Sequence, residues 1–137
     1  MELGKLGIMK TKIVLLAAAI AACSAWPASA DGDPAQGAKG FKKCKACHTV
    51  DGVNKVGPHL DGVIGRPVAS VEDYKYSKSM EEFAADGKVW DVETLTVYLH
   101  KPKALVDKTK MAFAGLKKDQ DIEDLLAYLA DPSAADQ

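Results

Sequence analysis

Residues 31–137 predict an all-α domain wrapped in long loops, and three observations carry that expectation. Ile122, Leu125, Leu126 and Leu129 recur at i, i+3, i+4 and i+7 with acidic residues opposite, which is the stripe of an amphipathic helix. No stretch alternates apolar and polar residues as a half-buried strand does. The segments 55–67 and 106–118 hold no period, and loops of that length are uncommon without something to wrap around.

Taken in chain order, residues 1–30 read as an address rather than as part of the fold. Lys5, Lys10 and Lys12 precede an apolar run from Ile13 to Cys23, and Ala28-Ser29-Ala30 supplies small residues for signal peptidase. The run is too short for the ~20 residues that span a bilayer. A signal peptide cut after Ala30 is therefore expected. Two alternatives are acylation at Cys23, whose preceding Ile20-Ala21-Ala22 suits a lipoprotein signal, and an uncleaved anchor. Only these would bring membrane contact.

Asp33-Pro34 pairs an N-cap residue with proline at the first helical position, so a helix is expected to about Lys45. Gly57, Pro58, Gly62, Gly65 and Pro67 then mark a folded loop. A short helix over 70–83 is closed by Asp86-Gly87. Asp91 caps a segment in which Val92, Leu95, Tyr98 and Leu99 recur at helical spacing until Pro102. The last helix follows Lys118. No repeat or linker interrupts 31–137, which reads as one domain.

The whole chain carries 18 basic and 19 acidic residues; three of the former and one of the latter lie in residues 1–30, leaving a formal charge of −3. That excludes the strongly basic character of a nucleic-acid-binding domain. Lysines 42, 43, 45 and 55 flank the cysteine pair and lysines 101, 103, 108, 110, 117 and 118 flank Met111, while acids gather at 72–73, 81–82 and 119–124. If both segments meet at one site, a mildly acidic protein acquires a positive face.

Cys44-Lys45-Ala46-Cys47-His48 is the strongest chemical signal. Two thiols three positions apart can each add to a vinyl group of a haem, and the adjacent histidine is then held beneath the iron. A thioredoxin-like dithiol would need a βαβ context, and a zinc site would need two more ligands; His59 and His100 could be recruited but stand in unrelated contexts. With the exported address, the motif points to covalent haem c, one per chain.

Around that motif stand Gly57-Pro58-His59-Leu60, Gly65-Arg66, Tyr74 and Tyr76, Trp90, Tyr98-Leu99 with Pro102, and Thr109-Lys110-Met111-Ala112-Phe113-Ala114-Gly115. In this order the chain resembles a class I c-type cytochrome of the mitochondrial and bacterial c2 type. The resemblance implies a cytochrome c fold: three main helices plus short helices and long loops around one covalently attached haem, with the first and last helices crossing. It implies His48 and Met111 as the axial iron ligands, Met80 packing against the haem without ligating it, and Pro58 accepting the His48 ring proton. Arg66, Tyr76 and Trp90 are implied as donors to a haem propionate, Tyr98 as approaching the methionine sulfur, Thr109 as part of that loop, and Phe113 as covering the haem edge. Tyr128 and Leu125 are expected to face the first helix near Gly40 and Phe41. Asp107-Lys108 replaces the Pro-Gly of many relatives, implying a less rigid Met111 loop.

The function so implied is one-electron transfer, not enzyme catalysis. The expected protein is a soluble, periplasmic, monomeric carrier between a quinol:cytochrome c oxidoreductase or dehydrogenase and a terminal oxidase or photosynthetic reaction centre, meeting acidic docking faces. Its rivals are a ligand-binding haem protein, if Met111 is not bound; a thiol oxidoreductase or metal module; and a tethered subunit of a larger complex.

Overall fold

A computed structural model describes residues 32–136. The expected cut after Ala30 and the Cys23 alternative lie outside the described residues. The fold is all-helical: α1 (Pro34–Phe41), α2 (Lys78–Ala84), α3 (Val92–His100), α4 (Pro102–Leu105), α5 (Asp119–Ala130) and a terminal 3₁₀ helix over Pro132–Asp136. Among the described residues an isolated bridge between Pro67 and Val89 stands in place of any strand. None of the described helices is long and apolar enough to cross a membrane.

Helix α1 begins where Asp33-Pro34 predicts. The Asp33 carboxylate accepts from the amides of Ala35 (2.8 Å) and Gln36 (3.3 Å), partnering donors that a helix start leaves free. It stops at Phe41 rather than near Lys45. From Lys42 three successive amides reach back three residues, Lys42 to Lys39, Lys43 to Gly40 and Cys44 to Phe41, before Lys45 reaches back four to Phe41, and this tightening winds 42–47 into turns instead of a further α-helical stretch.

The α5 stripe is buried as predicted: Ile122, Leu125, Leu126 and Leu129 are all under 5% exposed. Helix α1 crosses it, with the Phe41 and Tyr128 rings 5.3 Å apart. The glycine that permits the crossing is not Gly40, around which a methyl group would meet nothing. It is Gly37, where a Cβ would collide with the Asp124 carbonyl and come within 2.7 Å of Tyr128 Cβ. The reason is rotation: the face of α1 that meets α5 carries Gly37 and Phe41, four residues apart, and Gly40 falls to one side.

Helix α2 starts eight residues later than expected. Ser77 is its N-cap, accepting from the Met80 amide at 3.2 Å, whereas Ala69 and Asp73 adopt left-handed backbone (φ +57° and +56°) that no helix can continue through. Met80 is buried in the core. Helix α3 is capped by Asp91 (Oδ1 to Thr94 amide, 2.7 Å) and buries Leu95, Tyr98 and Leu99, though Val92 of the predicted stripe is 40% exposed. Pro102 opens the one-turn α4 as well as ending α3, using proline's fitness for a first helical position.

Candidate cofactor site

The turn after α1 presents Cys44 and Cys47 as free thiols, the first half-buried and the second exposed. The amides of Cys47 and His48 both donate to the Cys44 carbonyl, at 3.0 and 2.9 Å, so both thiols and the imidazole ride on one compact turn. Burial pushes the Cys44 thiol pKa up, opposed by Lys43 and reinforced by Cys47.

The loop that follows folds back over His48. The Gly57 amide donates to the Cys47 carbonyl at 2.8 Å, and Lys55 Nζ donates to the Lys45 carbonyl at 2.6 Å. At Gly57 the ring of His48 occupies the space a Cβ would need, its Nδ1 lying 2.7 Å from that position. The next residue fixes the ring: His48 Nδ1 stands 2.7 Å from the Pro58 carbonyl, which can only accept, so the proton sits on Nδ1 and the Nε2 lone pair is left available. Burial lowers the imidazole pKa, with the Pro58 carbonyl opposing and Lys55 adding to the effect.

Met111 is held from α3. The Tyr98 hydroxyl lies 3.7 Å from its sulfur and 3.2 Å from Thr109 Oγ1, and Thr109 Oγ1 accepts from the Met111 amide at 3.3 Å. Lys110 Nζ donates to the carbonyls of Lys75 (2.9 Å) and Tyr76 (3.3 Å), pinning the loop to the tyrosine segment. Phe113 is half-buried against the core.

Tyr74, named above only beside Tyr76, ties the tyrosine segment to the loop that carries Gly57. Its hydroxyl donates to the Val56 carbonyl (2.9 Å) beside Gly57, and its ring stands edge-on to Tyr76 at 4.8 Å. Burial raises its pKa, with Cys47 close enough to add to the shift; Tyr98 is raised by burial too, and there Tyr74 adds its own contribution.

Arg66, Tyr76 and Trp90 are also brought together. The Trp90 amide donates to the Arg66 carbonyl at 2.8 Å, and the Trp90 ring packs at a tilt against Phe83 (5.9 Å) and Tyr98 (5.0 Å). The Tyr76 hydroxyl accepts from the Val71 amide at 3.2 Å. Arg66 donates to the carbonyls of His59 (2.9 Å) and Asp61 (3.1 Å), and none of the ion pairs among the described residues includes it. A half-buried guanidinium facing a phenol, with no carboxylate in contact, suits an anionic group such as a propionate.

The other histidines are engaged elsewhere. His59 Nδ1 meets Asp61 Oδ1 at 2.7 Å, and both nitrogens of His100 face oxygen atoms. Neither stands as a partner for the cysteine pair, which removes the recruitment a zinc site required.

An all-helical domain that presents paired thiols and an imidazole on one turn, and a thioether steadied by a phenol on a loop, has the make-up of a c-type haem domain. The cytochrome c family model matches residues 34–132, and the chain belongs to that family. Its members carry covalently attached haem c and are electron-transfer proteins rather than enzymes. The chain is 50% identical over 98 residues to cytochrome c-550 of Ancylobacter novellus, covering 70% of this chain and 92% of that protein. It is 49% identical over 104 residues to the cytochrome c-type cyt cy of Rhodobacter capsulatus, covering 75% of this chain and 51% of the relative. It thus spans about half the length of that relative, and likewise of the cytochrome c homolog of Rickettsia prowazekii. Cytochrome cH from Methylobacterium extorquens has a similar structure, with a TM-score of 0.66 and 38% identity over 72% of this chain and 97% of that one.

Proposed function

We propose that this chain is a one-electron carrier whose haem c is linked through Cys44 and Cys47 and ligated by His48 and Met111. The observation that carries the reading is the pair of prepared donors: an imidazole whose Nδ1 is committed to Pro58, leaving Nε2 free to bind, and a sulfur held beside the Tyr98 hydroxyl. Haem bound there supplies a ferric/ferrous couple. The protein's part is to keep both donors in place, so that no position opens to oxygen or peroxide and little rearranges between redox states. A thioether beside an imidazole favours the ferrous state and raises the potential over two imidazoles.

Arg66, Tyr76 and Trp90 would face a propionate, Thr109 would orient Met111 through its amide, and Phe113 would cover the haem edge. The lysines around the cysteine turn and the Met111 loop would steer encounter with acidic faces of membrane redox complexes. A quinol:cytochrome c oxidoreductase or dehydrogenase on one side and an oxidase or reaction centre on the other suit that chemistry. The leader-like residues 1–30 support export, with 31–137 acting as one monomeric domain in the periplasm. The Ile20-Ala21-Ala22-Cys23 sequence favours a tethered form as second reading; the mass of the mature N-terminus and membrane fractionation separate the two.

Met111→Ala tests the reading. The variant is expected to keep its haem, lower its potential and bind carbon monoxide rapidly when reduced, whereas the parent binds little. An unchanged potential contradicts Met111 as ligand.

A further inference from the structure

His100 has no part in the proposed electron transfer, yet both its ring nitrogens have partners. It ends α3, and its ring lies between two oxygens: Nδ1 is 3.0 Å from the Leu116 carbonyl and Nε2 is 2.8 Å from Asp119 Oδ1. A backbone carbonyl and a carboxylate offer lone pairs only. A neutral imidazole carries one ring proton, so one nitrogen would then aim its own lone pair at an oxygen; only the imidazolium donates to both.

The two acceptors bracket the exit of the loop that carries Met111. Leu116 lies five residues beyond it, and Asp119 is the first residue of α5. The same stretch is sewn to α3 by the Leu116 amide, which donates to the Leu99 carbonyl at 2.8 Å. Gly115, at φ +107°, runs so close to the His100 carbonyl that no Cβ would fit.

We infer that protonated His100 is a positioning residue: it latches the exit of the Met111 loop to the last turn of α3 and the first of α5, and its deprotonation loosens that exit. The consequence for the iron rests on Met111 being a ligand; the latch itself does not. The charged groups around the ring are Asp119, in contact, Lys117 and Lys118 between its two acceptors, and Lys101 and Lys103 just beyond it on the chain. The Asp119 side chain is 82% exposed, so the pair is screened and the latch is a modest one.

Hydrogen exchange at the Leu116 amide, corrected for its intrinsic pH dependence, tests the latch in the haem-loaded protein. It is followed from about pH 5 to about pH 8, the range in which histidine changes charge, in the parent, His100→Gln and Asp119→Asn. Parent protection is expected to fall about fivefold as pH rises, the scale of a lost exposed pair and hydrogen bond. Protection in His100→Gln should start low and stay flat, and in Asp119→Asn the pH dependence should shrink. The far-red absorption of methionine sulfur on ferric haem, recorded on the same samples, should weaken with rising pH in the parent, less so in Asp119→Asn, and not in His100→Gln. Parent protection that ignores pH, or the same pH dependence in His100→Gln, overturns the inference. A far-red band absent at every pH strikes at Met111, and the Leu116 result then still decides the latch.

Discussion

Gly57 and Lys108 show how much of the site depends on backbone that side chains constrain. The Gly57→Ala methyl would stand where the His48 ring now lies, and the ring cannot retreat without losing Pro58. Overpacking of this kind costs about 1–3 kcal/mol. Gly57→Ala is therefore expected to lower the stability of the haem-loaded protein by that amount in urea melts; an unchanged midpoint would mean that the ring is not fixed there. Lys108 holds a left-handed φ of +56°, a conformation that glycine adopts without strain. That conformation costs a side-chain-bearing residue ~1 kcal/mol. Lys108→Gly should regain about that much and steady the Met111 loop, read as a higher melting midpoint and slower exchange of the Thr109 amide. At this scale the sequence was legible wherever an unusual residue type announced itself, as at Cys44, Cys47, His48 and Pro58. It marked Tyr74 only as a neighbour of Tyr76, because its part depends on a hydroxyl reaching Val56, eighteen residues away in the chain.

Helices α1 and α5 meet through a contact that a sequence can suggest but not register. The α5 stripe is four apolar residues long and unambiguous. Helix α1 has eight residues and two glycines, and a slight rotation decides which of them meets the partner. The structure makes a paired prediction possible. Gly37→Ala should destabilise by about 1–3 kcal/mol, because its methyl would strike backbone that cannot swing aside. Gly40→Ala should be neutral or stabilising by up to ~1 kcal/mol, because open space and helix propensity both favour it. Denaturant midpoints of the two variants in one buffer check the contrast, and equal losses would contradict the crossing. The same limit explains the late start of α2: a run such as 70–83 satisfies helical composition, but the left-handed turn at Asp73 and the Ser77 cap are tertiary and capping choices that composition alone does not settle.

The whole molecule carries a net negative charge, yet its lysines are grouped rather than spread evenly along the chain. Lysines gather beside the cysteine turn and on the Met111 loop, and acids gather on α2 and at the start of α5. Association with an acidic redox partner should therefore slow by about tenfold or more as ionic strength rises from about 0.01 to 0.15 M, since the screening length falls from ~30 to ~8 Å. Stopped-flow electron transfer measures this, and a rate indifferent to salt would contradict steering by the lysines. The all-helical class was legible because a strong amphipathic stripe and the absence of alternation both speak to it. The long loops were legible as loops, but their paths follow from the ring, phenol and guanidinium contacts they make around one site.

The most direct test of that site is the optical spectrum of the purified, haem-loaded protein, oxidised and then reduced. A sharp reduced c-type spectrum together with the weak far-red band of methionine sulfur in the ferric form is the predicted result, and places His48 and Met111 on one iron. A haem spectrum without that band, from a protein that binds carbon monoxide rapidly when reduced, would contradict the account.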